Sequence, residues 1–302
     1  MSLDASSSLA SGDDGVAVCY LCLDGGLNDA DQRVRRDCAC RGTDAGFVHL
    51  SCLTKYAASK SEQSLGMIGF AMPWHTCPNC NQKYQNELAI DIANKFVPFV
   101  RRQYPDDTQR QVESLNLKLR ALNNMLDMLQ PVQKREAGVT ANVLLSMIDR
   151  MKANALLLKR YSWFEANAYH VHGRIALQEG TEESARRAVA HFEKYLKVCK
   201  TISDADGIAT AKQNIAIAKS KYEGGMNSET LKASEELYEM RVAEHGEGNE
   251  YTIEAGKFYA INLQKANREE EARELFTKLL ATSKQVLGTN HKTTKNIELS
   301  LK

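Results

Sequence analysis

A chain of 302 residues is long enough for about two domains, and its 39 basic and 38 acidic side chains leave a formal charge of +1. So even a balance supplies no field to draw the protein to nucleic acid or to an acidic membrane. No uncharged apolar stretch approaches the roughly 20 residues needed to cross a bilayer, and the polar stretch from Met1 to Asp14 lacks the apolar core of a signal peptide. A soluble intracellular protein, cytoplasmic or nuclear, is therefore expected, with residues 1–14 read as a disordered N-terminus. Seven of the eight cysteines lie between Cys19 and Cys80. In a reducing compartment such a cluster points to metal rather than to disulfides.

Along the chain the candidate ligands read Cys19-x2-Cys22, Cys38-x-Cys40, His49-x2-Cys52 and Cys77-x2-Cys80. Two intervening residues let a tight turn aim both side chains at one ion, and thiolate and imidazole are what tetrahedral zinc accepts. Four pairs complete two closed sites. With no coordination position left for water, both zinc ions are expected to be structural rather than hydrolytic, and no catalytic side chain is expected. A module this small has little apolar core, so metal binding supplies most of its folding free energy, on the order of 10 kcal/mol per site. His75 is left over and is read as exposed or supporting.

These residues resemble the RING-CH family, the RING variant with a short Cys-x-Cys second pair and a His-x2-Cys third pair. The local texture agrees in Cys38-Ala-Cys40-Arg-Gly42 and in Phe47-Val-His49-Leu-Ser-Cys52-Leu53, with a helix from Leu53 to Ser59 behind it. Eight residues separate Cys40 from His49, one more than the family usually has, which places an extra loop residue around Thr43 to Gly46. A PHD finger, the rival reading, normally spaces its second cysteine pair more widely and carries an aromatic two residues before its seventh ligand. Trp74 stands three before Cys77.

The resemblance implies a small zinc-stabilised α+β module over residues 15–86 with interleaved ligands. Cys19, Cys22, His49 and Cys52 would hold one ion, and Cys38, Cys40, Cys77 and Cys80 the other. It also implies a ubiquitin ligase or ligase subunit that docks a charged conjugating enzyme and gains rate by positioning. The docking residues implied are Leu21, Trp74 and Pro78, although each could equally cover a zinc knuckle. Many such ligases carry a cation directly after the last ligand, whereas here Asn81 and Gln82 precede Lys83. A non-catalytic protein-binding scaffold is the alternative, and a PHD-type histone-tail reader a further one.

Beyond residue 86 the chain turns helical in pattern. Val112, Leu115, Leu119, Leu122, Leu126 and Leu129 form one apolar stripe on a helix that Pro131 interrupts, within a helical linker over residues 87–139. Laid on itself at a shift of 42 residues, the sequence aligns Ala176, Ala218 and Ala260; Thr210, Thr252 and Thr294; Phe192 and Phe276; and Gly246 and Gly288. The two glycines fall where a helix ends in a left-handed cap.

The segments Gly246-Glu-Gly-Asn249 and Gly288-Thr-Asn-His291 resemble the inter-helix loops of kinesin-light-chain-type tetratricopeptide repeats. An all-α solenoid over residues 140–302 is thus expected, with units beginning near 140, 182, 225 and 267 and the last shortened by the end at Lys302. Asn267 and Glu270 read as a capping pair for its final unit. Stacked repeats create an extended groove, so a protein or peptide ligand is expected there, with a pure spacer as the alternative. His170 and His172 face different sides of a helix and are no metal pair. Cys199 reads as a packed apolar residue.

Overall fold

The computed structural model describes residues 17–25, 33–38, 40, 46–151, 155–222, 228–289 and 291–301. The N-terminal stretch 1–14 and most of the Thr43 to Gly46 loop lie outside the described residues. The chain divides into two compact units, Met1–Met125 and Leu126–Lys302.

In the first unit the ligand loops lead into α1 (Leu50–Glu62), α2 (Met67–Ala71) and a single 3-10 turn at Met72–Trp74. Two longer helices follow, α3 (Asn86–Gln103) and α4 (Thr108–Asn124). The expected β component is reduced: among the described residues it consists of two single antiparallel bridges, Arg35 with Val48 and Thr76 with Lys83.

The core of this unit is aromatic. Trp74 is fully buried, with its ring 4.7 Å from Phe96 in a stacked arrangement and 5.0 Å from Phe99. Its indole N–H donates to Ser61 Oγ at 2.7 Å, and that hydroxyl donates in turn to the Phe70 carbonyl at 2.7 Å. Phe96 and Phe99 belong to α3. The helices that follow the last cysteine pair therefore complete the hydrophobic centre of the first unit.

The stripe on α4 buries Val112, Leu115, Leu119 and Leu122, as expected. The helix stops at Asn124, earlier than its apolar spacing suggests, and Leu126 and Leu129 are buried in the connecting segment. Pro131 does not interrupt a helix but opens the next one, where its missing N–H needs no partner.

The second unit is a helical solenoid of α5 (Pro131–Met151), α6 (Ala155–Gln178), α7 (Glu182–Thr201), α8 (Ala205–Ser220), α9 (Ser228–His245), α10 (Glu250–Lys265), α11 (Glu269–Val286) and α12 (Lys292–Ser300). Each helix packs on its neighbours in sequence, the mark of a quasi-one-dimensional stack. The 42-residue register is physical. Ala188, Thr230 and Ala272 are buried at one position of the first helices, and Phe192, Ser234 and Phe276 at the next. The first pair departs from the period, since α5 starts at Pro131 and its two helices run to 21 and 24 residues.

Loop chemistry repeats as well. Gly246 and Gly288 take φ of +77° and +91°, the left-handed caps read from the sequence. Asp204, Asn249 and His291 each open a second helix by accepting a backbone N–H, from Gly207, Tyr251 and Thr293. Asn267 does not cap α11. It sits at φ +60° and closes α10, with Arg268 N–H bonded to the Leu263 carbonyl at 2.9 Å and its own N–H to Gln264 at 3.0 Å. An asparagine tolerates the left-handed region, so the same residue type serves the preceding end. No described helix is long and apolar enough to cross a membrane.

Candidate metal centres

His49 precedes α1 in extended conformation and Cys52 lies in its first turn, so the helix start points both toward the Cys19–Cys22 turn. Cys19, Cys22, His49 and Cys52 present ligand atoms that all lie within 4.8 Å of one another. Cys22 Sγ is 3.3 Å and Cys52 Sγ 3.9 Å from His49 Nδ1. A tetrahedral ion with Zn–S of about 2.3 Å and Zn–N of about 2.1 Å has an S···N edge of about 3.6 Å, midway between them.

The second group, Cys38, Cys40, Cys77 and Cys80, is equally tight. Cys40 and Cys77 Sγ are 3.7 Å apart, against about 3.8 Å for an S···S edge at zinc. These are the two groups of four that the interleaved ligand order pairs. Each can hold a metal ion, and three thiols with an imidazole, or four thiols, form donor sets that fit tetrahedral zinc.

Electrostatics favours a cation in both. Burial, then the neighbouring Cys22, pushes the Cys52 thiol up to about 11. Burial and the surrounding cysteines raise Cys40 and Cys38 as well. Burial also works on Cys19, but the backbone N–H groups of His49, Cys22 and Leu21 outweigh it and bring that thiol down to about 7. Three sulfurs in the first group and four in the second, this close, ionise together only around a positive charge. The Tyr20 and Tyr84 hydroxyls are buried without a well-formed hydrogen bond and feel the Cys38 and Cys77 sulfurs.

Two supporting residues escaped the sequence reading. Gly46 takes φ +85°, and a Cβ there would come within 2.7 Å of Cys40 Cβ and 3.0 Å of Cys38 Sγ, so the backbone has to run bare against the second group. Arg35 exchanges backbone hydrogen bonds with Val48 at 2.9 Å and pairs with Asp37, Glu87 and Asp91, tying a ligand loop to α3. A glycine beside the third ligand pair was a usable signal for the first. Nothing local announced the second.

The residues expected to dock a partner divide. Leu21 and Pro78 are half-buried at the two knuckles. Trp74 is a correction: with no exposed surface it offers a partner nothing, because α3 covers it. His75 joins neither group, and its Nδ1 lies 2.9 Å from Thr76 Oγ1. In the second unit Cys199 is fully buried, and burial followed by Asp204 pushes its thiol up to about 12, which makes it an inert packing residue. His170 packs on Phe192 and Tyr195, while His172 stacks on His191 with ring centroids 5.0 Å apart.

No protein-family model matches the sequence, and no curated protein matches it either. Among solved structures the chain is similar to two crystal structures of nearly identical TPR-like repeats of a Podosopora anserina kinesin light chain. They are 14% and 13% identical, at TM-scores of 0.44 and 0.43, each match covering 78% of this chain and 95% of that one. A similarity of this size adds no weight of its own to the helix pairing and 42-residue register seen in the chain itself.

Proposed function

We propose that the chain is a two-part protein-binding adaptor of the ubiquitin system. Its first unit is a RING-CH-like module that docks a conjugating enzyme around Leu21 and Pro78, and its repeats gather the substrate or a second adaptor. The observation that carries the reading is the pair of interleaved four-ligand groups, which leaves no protein-free coordination position and so suits a docking platform rather than a hydrolase. The solenoid supplies the other half, because stacked helix pairs create the extended surfaces on which such arrays bind proteins.

The burial of Trp74 favours a second reading, a scaffold without ligase activity, since it removes the aromatic anchor from the docking surface. Purified zinc-loaded chain, incubated with ubiquitin, activating enzyme and a panel of conjugating enzymes, separates the two. The ligase reading expects chain formation that Leu21→Ala and Pro78→Ala cut at least tenfold with the zinc content unchanged. Silence across the panel leaves the scaffold.

A further inference from the structure

A recess of about 60 Å³ opens on the first unit, away from both metal groups, and is lined by Trp74, His75, Lys83, Arg120, Asn124 and Leu117 among others. No aspartate or glutamate lines it. Lys83 is held there by the last ligand turn, where Cys77 N–H bonds to Gln82 O at 2.8 Å and Tyr84 N–H to His75 O at 2.9 Å. Arg120 and Asn124 are one turn apart on α4 and so share a face. Two elements thus bring two cations to one hollow, and neither Lys83 nor Arg120 forms an ion pair among the described residues.

Two like charges thus face one hollow with no carboxylate lining it, an arrangement that a bound anion would stabilise. Lys83 feels its neighbour: its ammonium is held below its usual range first by Arg120 and then by burial. We infer that this recess binds a phosphate monoester, with Arg120 and Lys83 neutralising its two charges and the Asn124 amide donating a further hydrogen bond. Chemistry and size agree. The planar guanidinium fork and the ammonium suit a dianion better than a single carboxylate. At about 60 Å³ the recess has room for one small anion. Leu117 adds an apolar wall beside the two cations.

The test uses the full zinc-loaded chain carrying Trp163→Phe, so that Trp74 is the fluorescent reporter. Inorganic phosphate, a phosphoserine peptide and its unphosphorylated twin are titrated by calorimetry and fluorescence. Saturable binding of phosphate and phosphopeptide but not of the plain peptide is expected, with dissociation constants rising about tenfold or more in Lys83→Ala and in Arg120→Ala. Lys55→Ala, outside the recess, should leave binding intact. Tighter binding of the phosphopeptide than of the free ion would identify a modified protein as the source, and equal binding the ion itself. No saturable signal from either method, or equal weakening by Lys55→Ala, overturns the assignment. Both substituted side chains are exposed, and two zinc ions per chain in each variant will show that the fold is kept.

Discussion

Trp74 is engaged within the core of the first unit through its indole face, its edge and its N–H together. Trp74→Ala should destabilise the unit by about 3 to 5 kcal/mol in denaturant titration, whereas Trp74→Phe should cost about 1 kcal/mol by leaving the Ser61 hydroxyl without its donor. The histidines of the second unit give a pH dependence. Burial holds His170 at about 3 and, with His172, Lys194 and Arg187, holds His191 at about 4; burial and then Lys194 lower His172. All three are neutral when folded, so the unfolded chain takes up more protons once the pH drops below about 6.5. Stability is full above that point and falls as the pH moves toward 4, by about 2 kcal/mol each for His170 and His191 at about pH 5, the His191 share lessened by solvent screening, with His172 adding in the same direction. The melting temperature of the second unit should decline over this range, and His191→Gln should flatten the slope. At this scale the metal ligands were legible because their chemistry is local in sequence. The fate of Trp74 was not, since Phe96 and Phe99 lie beyond the point where the cysteine pattern ends.

Among the helices, the period of 42 was readable because it is written in small residues and caps, and the structure puts Ala188, Thr230 and Ala272 at one buried layer. What periodicity could not decide is which end of a helix a capping residue serves. Asn267 and Glu270 had the spacing of a helix start, yet the backbone of Asn267 is left-handed and finishes the preceding helix. Pro131 was likewise read as a stop and is a start, for proline ends one helix and opens another with equal ease. Gly288→Ala should cost about 1 kcal/mol, read as a lower melting temperature of the second unit, because it puts a Cβ into a left-handed conformation, and Asn267→Ala should cost less than that, because alanine only lacks the short polar side chain that lets asparagine tolerate it. Asn267→Gly should be neutral or slightly stabilising in the same measurement.

At the scale of the chain, metal and helix stability belong to different units, so they should be separable in one experiment. Zinc chelation should expose Trp74 and shift its emission to the red, while Trp163, already half exposed, reports little. The thermal unfolding of the solenoid should stay where it was. A chelator that melts both units together would refute the division. The sequence pattern marks a change of character after Cys80 but could not show that α3 and α4 belong on the metal side of the boundary, because amphipathic helices look the same whether they serve a module or a stack.

The aromatic packing between the 3-10 turn and α3 sets a lower limit on what can be prepared in isolation. A fragment ending at residue 86 keeps all eight ligands but strips Trp74 of both ring partners, and should be recovered as aggregate. One ending near residue 125 retains them and should remain in solution. Limited proteolysis of the whole chain should accordingly yield a resistant product that ends past α4, not one that ends at the last cysteine.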